Sequence, residues 1–299
     1  MKRNTKSLCT AIALACVVLG QTAEAQTADS ALKANESRTP AAGFVTADGR
    51  LSHPMNLSGY KTPLVNKNTL TAYSTVVSGN WAGVAESDTA HNFTSVGAMF
   101  NMPTSLACNS TADLIAGWVG LNGYINSYVE QTGVVMSCAT GSPTFQAWYE
   151  MYPAYPVYLS TATYPVSPGD TIIASVSNNV GSYTLNIWDY TKGWTYSTTQ
   201  VQSGQTTATS AEAVVEVPSG YSNPGYGTLT FAAMGGNMTP GGNGTVFAQA
   251  PSPTSGYPPI YTIYTGNSAS GPYRATSTGM IYNPSYPLSP YMQVSYVGP

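Results

Sequence analysis

Charge is scarce in this sequence, and positive charge is scarcest over most of its length. Only 8% of the 299 residues are charged, and after residue 70 the only lysine and arginine are Lys192 and Arg274. Five basic against three acidic side chains give residues 26–70 a formal charge of +2, whereas two against nine give residues 71–299 a charge of −7. Because an acidic body cannot neutralise a phosphate backbone, we expect no nucleic-acid partner.

Histidine and cysteine are also rare, and this excludes several kinds of catalysis. The histidines are His53 and His91, and no His/Cys cluster of the kind that binds zinc is present. His91 lies in the polar turn "TAHNFT", and no G-x-S-x-G context accompanies it. No glycine-rich phosphate loop follows a strand and opens a helix. We therefore expect no metal and no cofactor, and any catalysis must rest on carboxylates and amides.

Residues 1–25 have the layout of a secretory signal peptide. A basic start is followed by the apolar run 8–19 and by the small-x-small triplet 23–25. The run is shorter than the roughly 20 residues that a spanning helix needs. We therefore predict export to the extracellular medium or the periplasm, with no membrane association after signal removal, and we expect a monomer. A lipid anchor on Cys16 is the alternative, although "IALAC" lacks a leucine three positions before the cysteine.

Residues 26–70 are rich in turn-forming and polar residues and show no sustained helix or strand period. We interpret them as a propeptide or linker. One hypothesis is that this basic segment is held on the acidic body at neutral pH and loosened when acid protonates the carboxylates. The alternative is a leader with incidental charges. Equal retention of the segment at pH 4 and pH 7 would rule out the first hypothesis.

Residues 71–299 show a pattern typical of an all-β domain. Short alternating or apolar runs such as "TSVGAMFNM", "LIAGWVGL", "TIIASVS" and "YTLNIWDYT" are separated by turn signals such as "PVSPGD" and "NNVGS". This spacing predicts an antiparallel β-sandwich, jelly-roll-like, with two packed sheets. The Gly/Pro/Ser-rich stretch near 235–275 predicts long loops.

Two cysteines remain once the signal is removed. They are Cys108 and Cys138, and an even number in an exported chain predicts a disulfide between them. Closing this loop would contribute about 3–4 kcal/mol in the chain-entropy model. It would also hold the segment "YVEQTGVV" (128–135) that lies within the loop.

Two predicted strands carry carboxylates beside apolar groups. Alternation in "QAWYEMYP" puts Trp148, Glu150 and Tyr152 on one face, and in "SAEAVVEVP" it puts Glu212 and Glu216 together. A single acid of this kind is commonly a solvent-facing position. Three acids on two such strands, in a body this poor in charge, favour a functional site.

Five short motifs occur in an order and spacing that resemble the glutamic peptidases, the eqolisin family. They are "SGNWAG" (78–83), "GWVGLNG" (117–123), "EQTGVV" (130–135), "AWYEMYP" (147–153) and "SAEAVVE" (210–216). The resemblance covers roughly residues 74–220. It implies a β-sandwich and an acid-active endopeptidase that acts on polypeptide substrates without metal or cofactor.

The resemblance also implies the catalytic pair, Gln131 and Glu216. A carboxylate can take a proton from water as general base and return it to the leaving amine. A fixed amide N–H can stabilise the oxyanion that develops on the scissile carbonyl, and it keeps its donor at any working pH.

The family's substrate cleft falls on four further residues here, Trp81, Trp118, Glu150 and Tyr152. Glu212 also matches a family position, but we assign it no role. The chain departs from the family at two positions, where Asn122 and Val135 replace aspartates. Both changes remove carboxylates near Gln131, so we expect a moderately acidic rather than a very low pH optimum.

Two other functions fit parts of the pattern. Jelly-roll glycoside hydrolases set two glutamates across an aromatic-lined cleft, and Glu150 with Glu216 could form such a pair. A non-catalytic carbohydrate-binding module could use the 22 tyrosines as stacking platforms. The glycoside hydrolase alternative assigns no role to Gln131.

Overall fold

The computed structural model describes residues 73–240, 242–247, 258–266, 272–283 and 286–298. The secondary-structure elements in these ranges are all β-strands. The predicted signal peptide (1–25) and propeptide or linker (26–70) lie outside the described ranges. No helix in the described ranges is long and apolar enough to cross a bilayer. The strands are β1 (Tyr73–Ser78), β2 (Trp81–Ser87), β3 (Asn92–Asn101), β4 (Leu114–Leu121), β5 (Val129–Ser137), β6 (Thr144–Tyr152), β7 (Val157–Tyr158), β8 (Thr171–Asn179), β9 (Ser182–Asp189), β10 (Trp194–Val201), β11 (Ser210–Glu216), β12 (Thr228–Thr239), β13 (Gly242–Val246), β14 (Ile260–Gly266), β15 (Tyr273–Ser277), β16 (Ile281–Asn283) and β17 (Tyr286–Tyr296).

The strands form two layers. The first, which we call the front sheet, has the order β1-β14-β2-β11-β4-β5-β6-β7. The second, the back sheet, has the order β10-β9-β8-β3-β12-β17. This arrangement confirms the predicted all-β, antiparallel sandwich.

Two details were not predicted. Strand β15 pairs with both β14 and β17, so the two sheets are joined at one edge. Strand β1 runs parallel to β14, whereas the other strand pairs in the described ranges are antiparallel. The stretch 235–275, expected to form long loops, instead holds the end of β12, strands β13 and β14 and the start of β15; residues 241, 248–257 and 267–271 of it lie outside the described ranges.

The main hydrophobic core lies between the sheets. It includes Phe93, Phe100, Ile115, Leu185 and Phe231, all essentially inaccessible to solvent. Burial of each such side chain contributes about 1.5–3 kcal/mol. Strands β2, β4, β5 and β11 are buried on both faces, because a second, aromatic-rich cluster covers the other side of the front sheet.

The predicted disulfide between Cys108 and Cys138 is present, with a Cα–Cα distance of 5.5 Å. It ties the connection between β3 and β4 to the residue that follows β5. The backbone N–H of Cys138 also donates to the carbonyl of Asp113 (2.9 Å). The bridge therefore fixes one end of the strand that carries Gln131, as the sequence suggested.

Candidate active site

Pairing across the front sheet brings the predicted site residues to one face, opposite the main core. Paired residues on neighbouring strands point to the same side of a sheet. Three successive rows of paired residues, two positions apart along the strands, build this face. The Gln131 row is Ala85, Glu212, Gly120, Gln131 and Glu150; the Trp118 row is Gly83, Val214, Trp118, Gly133 and Trp148; the Glu216 row is Trp81, Glu216, Ala116, Val135 and Gln146.

Glu216 is fully buried at the end of β11, and each of its carboxylate oxygens accepts an N–H. The amide Nδ2 of Asn80 donates to Oε1 (3.1 Å), and the indole Nε1 of Trp118 donates to Oε2 (3.0 Å). Both donors are neutral, and N–H donors of this kind stabilise the ionised form of a carboxylate. Each oxygen of the Glu216 carboxylate is therefore held in a fixed position on the sheet face.

The turn between β1 and β2 fixes the orientation of Asn80. The hydroxyl of Ser78 donates to Oδ1 of Asn80 (3.0 Å) and accepts the backbone N–H groups of Asn80 (3.3 Å) and Trp81 (3.1 Å). The carbonyl of Asn80 accepts the N–H of Val217 (2.8 Å), just past Glu216. Because its oxygen is held by Ser78, the amide must direct its NH₂ toward Glu216.

Gln131 is fully buried in the middle of β5 and is oriented by its neighbour on β6. Its Nε2 donates to Oε2 of Glu150 at 2.6 Å, and both side chains are fully buried. An amide NH₂ carries two hydrogens, so one remains for a further acceptor. The Glu150 carboxylate, predicted to bind substrate, thus contacts the Gln131 amide directly.

The Trp118 indole lies between Glu216 and Gln131. Its Nε1 contacts Glu216, whereas a Cβ added to Gly120 would lie 3.0 Å from its Cζ3 and 3.1 Å from Cβ of Gln131. The Trp118 ring therefore reaches from the Glu216 carboxylate to Gly120, the residue paired with Gln131. The glycine at position 120 leaves the space that the ring occupies.

The other predicted cleft residues join the same aromatic cluster. Trp81 packs edge-to-face on Trp118, with ring centroids 5.1 Å apart. Tyr152 is half-buried against the cluster. Trp148, to which the sequence argument gave no role, is fully buried in the Trp118 row and belongs to the same cluster. Within the described ranges, the buried indole N–H groups of Trp81 and Trp148 have no hydrogen-bond partner.

Glu212 is fully buried in the Gln131 row, at the end of the face away from the Glu216 row. Beside it, Tyr124 stacks on Tyr261 with ring centroids 4.7 Å apart. Burial raises the pKa of Tyr124 well above its ordinary value, and the neighbouring Tyr261 and Glu212 add to this rise. The Tyr124 phenol therefore stays neutral at any working pH.

The two departures from the family pattern have different surroundings. Val135 is buried in the Glu216 row. Asn122 has a φ of 68°, a left-handed conformation that asparagine tolerates, and its Nδ2 donates to Oε2 of Glu130 (2.9 Å). Glu130 is fully buried and precedes Gln131. Glu130 pairs with Leu121 and Met151 and so points to the face opposite Gln131. The expected loss of carboxylates near Gln131, with its effect on the pH optimum, stays a prediction.

Fold and site together define a class: an all-β protein with a buried carboxylate and a buried amide on one sheet face. Within the part of the chain that the structure describes, no group of three or more His, Cys, Asp or Glu side chains is placed to hold a metal ion. Residues 79–270 match the Peptidase A4 family. The chain therefore belongs to this family, the glutamic peptidases or eqolisins.

Two curated relatives support the assignment. Aspergillopepsin-2 of Aspergillus niger is 27% identical over 192 residues, which cover 57% of this chain and 66% of that protein. Scytalidopepsin B of Scytalidium lignicola is 32% identical over 149 residues, which cover 48% of this chain and 54% of that protein. The chain thus spans less than two thirds of the length of either relative.

Solved structures share the fold. A scytalido-glutamic peptidase bound to a transition state analog inhibitor superposes with a TM-score of 0.57 at 20% identity, covering 73% of this chain and 98% of that one. SCP-B, an eqolisin in complex with the tripeptide Ala-Ile-His, superposes with a TM-score of 0.52 at 18% identity over the same shares. At these identities the likeness establishes the sandwich architecture.

Proposed function

We propose that this chain is a secreted, acid-active endopeptidase in which Glu216 and Gln131 act on a water molecule and a peptide bond. The observation that carries the proposal is the placement of Glu216. Its two oxygens are held by neutral N–H donors on the same sheet face as the Gln131 amide, with the Trp118 ring between them. Family membership supports peptide-bond hydrolysis as the reaction.

In the proposed reaction, ionised Glu216 removes a proton from a water molecule, and the water oxygen attacks the scissile carbonyl. The free N–H of Gln131 donates to the oxyanion that forms. Glu216 then delivers its proton to the leaving amine, and the C–N bond breaks. Asn80 and Trp118 keep the carboxylate in place through both proton transfers.

The substrate is proposed to be an extended polypeptide lying on the front sheet. Trp81, Trp118 and Tyr152 supply the aromatic lining of the proposed binding face. No lysine or arginine lies among the described residues of the three rows. A monomer, exported by its signal peptide, remains our expectation.

The glycoside hydrolase alternative is less well supported. It requires Glu150 and Glu216 to act as a pair across a sugar ring. Instead, Glu150 bonds the Gln131 amide at 2.6 Å, and strands β4 and β5 separate β6 from β11. Gln131, which that mechanism does not use, is the residue that Glu150 orients.

The test is cleavage of a denatured protein substrate from pH 2 to pH 7, with a metal chelator present, by wild type, Glu216→Gln and Gln131→Ala. We expect cleavage limited to acid pH, abolished in Glu216→Gln and lowered on the order of a hundredfold or more in Gln131→Ala. Glu86→Gln is the matched control, because Glu86 is a buried glutamate on the opposite face of the sheet. Wild-type rates in Glu216→Gln would refute the proposal.

A further inference from the structure

Arg274 is an unusual residue in this chain. It and Lys192 are the only lysine and arginine side chains after residue 70. Lys192 is accounted for by an ion pair with Asp170 at 2.6 Å on the back sheet. Arg274 lies on β15, outside the residues 79–270 that match the family, so family membership assigns it nothing.

The Arg274 guanidinium reaches the turn that leads into the site. Its Nη2 donates to the carbonyl oxygen of Gly79. Its own backbone is held firmly, because its carbonyl accepts the N–H groups of Val297 (2.9 Å) and Gly298 (3.3 Å). The C-terminal strand region therefore fixes the base of Arg274, and the side chain extends from there to the turn.

Gly79 is the central residue of the turn that orients Asn80. Ser78 on one side holds Oδ1 of Asn80, and Asn80 on the other side donates to Oε1 of Glu216 (3.1 Å). Gly79 has no side chain that Arg274 could contact, so Arg274 bonds to the turn through the Gly79 carbonyl. Arg274 thus connects to Glu216 through two hydrogen bonds, Arg274 to the Gly79 carbonyl and Asn80 to Glu216, joined by the peptide bond between Gly79 and Asn80.

The surroundings of Arg274 argue against a purely stabilising role. Its Nε is buried and has no hydrogen-bond partner among the described residues. An unsatisfied buried donor is costly, and more so on a charged group. Arginine also keeps its charge and donors at every working pH, a property suited to holding a site that works across an acid range.

We propose that Arg274 is a positioning residue for Glu216: through the Gly79 carbonyl it fixes the turn that presents the Asn80 amide to the carboxylate. This inference rests on the proposed function, since it assigns Arg274 a part in the work of the same base. It couples the C-terminal part of the chain, beyond the family match, to the candidate active site.

The test compares kcat, KM and the pH profile of Arg274→Met, Asn80→Ala and the double variant with wild type. We expect Arg274→Met to lower kcat on the order of tenfold with little change in KM, because small displacements of a catalytic group are costly. We also expect the acid limb of the pH profile of Arg274→Met to shift in the same direction as the acid limb of Asn80→Ala. In the double variant the Arg274 effect should vanish, because its route to Glu216 is already cut.

Two further variants complete the design. Arg274→Lys, which retains a cationic donor, should recover part of kcat. Lys192→Ala, which removes the other cation, should leave kcat and the pH profile unchanged. Wild-type kcat and pH profile in Arg274→Met, or independent effects in the double variant, would overturn the inference.

Folding defects and failure of the proposed function are distinguishable from these outcomes. If Arg274→Met does not fold, Arg274→Gln is judged by the same criteria, and failure of both to fold would overturn the inference by making Arg274 a requirement of the fold. If Glu216→Gln keeps wild-type activity, the proposed function fails instead.

Discussion

At the residue scale, the Gln131 amide depends on Glu150. The two side chains are directly paired across β5 and β6 and lie 2.6 Å apart. In the proposed reaction one N–H of Gln131 serves the oxyanion, and the bond to Glu150 sets where that N–H points. Glu150 is therefore better described as a partner of Gln131 than as a contact for substrate alone.

This dependence predicts different effects for two changes at position 150. Glu150→Gln keeps an acceptor oxygen, so we expect kcat to fall only a few-fold. Glu150→Leu removes the acceptor and frees the amide to rotate, so we expect a loss on the order of a hundredfold, comparable to loss of an oxyanion donor. Steady-state kinetics on one peptide substrate would measure both, and equal kcat in the two variants would contradict the interpretation.

The sequence predicted some of these residues and missed others for physical reasons. The sequence alone could identify Gln131, Glu216 and Trp118, because the motifs that contain them are short and local. The catalytic roles of Gln131 and Glu216 and the substrate-binding role of Trp118 remain predictions, although the structure places all three on one face. The contact between Arg274 and Gly79 joins residues 195 positions apart, and no pattern within a window of sequence reports it. Asn80 was visible as the neighbour of Trp81, but its bond to Glu216 depends on the fold.

At the element scale, strand β5 requires a glycine where it passes between two tryptophans. Gly133 pairs with Trp118 on β4 and with Trp148 on β6. A Cβ at this position would lie 2.1 Å from the carbonyl oxygen of Gly117 and 2.7 Å from Cβ of Trp118. The close approach of β4 and β5 therefore leaves no room for a side chain.

Gly133→Ala should consequently separate β4 from β5 and disturb both Trp118 and Gln131. We expect the free energy of unfolding to fall by at least about 1–3 kcal/mol, the usual cost of overpacking, and peptidase activity to fall with it. Gly235→Ala is the control, because the nearest atom to an added Cβ there is 3.8 Å away. Urea unfolding would compare the two, and equal stability would contradict the steric argument.

Among the elements, alternating strands with one apolar face were the easiest to predict. Strand β10 was missed because its residues alternate only between half-buried and exposed. It pairs with β9 alone among the described strands, at the edge of the back sheet. Its half-buried face is mixed, because Trp194 and Tyr196 pack against the core whereas Thr198 and Gln200 are polar. The joining of the two sheets by β15 was also beyond prediction, because strand pairing between distant segments leaves no local trace.

At the scale of the whole molecule, one buried carboxyl links stability to pH. Glu86 on β2 faces away from the site, is 2% exposed and accepts the backbone N–H of Phe247 (2.7 Å). Burial raises the pKa of Glu86 from 4.5 to about 8, opposed by the Phe247 bond and assisted by the nearby Asp88. Asp88 itself contacts His91 at 2.8 Å.

The sign of the effect follows from proton binding. Between pH 4.5 and 8 the folded protein keeps the Glu86 proton while the unfolded chain releases it, so the free energy of unfolding falls as pH rises. The slope is about 1.4 kcal/mol per pH unit for one group. The contribution is complete below pH 4.5 and is lost as the pH approaches 8, which suits the proposed acid activity.

We therefore expect thermal unfolding to shift to lower temperature between pH 5 and pH 8 in wild type, and to do so less in Glu86→Gln. The variant removes the titrating proton while keeping an acceptor for Phe247. Scanning calorimetry at several pH values would measure both slopes, and parallel curves would show that Glu86 does not govern the dependence. The scarcity of basic residues after residue 70 acts in the same direction, since little positive repulsion accumulates at low pH.

The bond from Trp118 to Glu216 also has an optical consequence. An indole N–H can donate but not accept, so protonation of the carboxylate weakens this bond and alters the surroundings of one of the five tryptophans. We expect tryptophan emission to titrate with Glu216 in wild type and this component to disappear in Glu216→Gln and Trp118→Phe. Persistence of the component in Glu216→Gln would assign it to another group. If the component disappears in both variants, the fluorescence of the unlabelled protein reports the protonation state of its proposed general base.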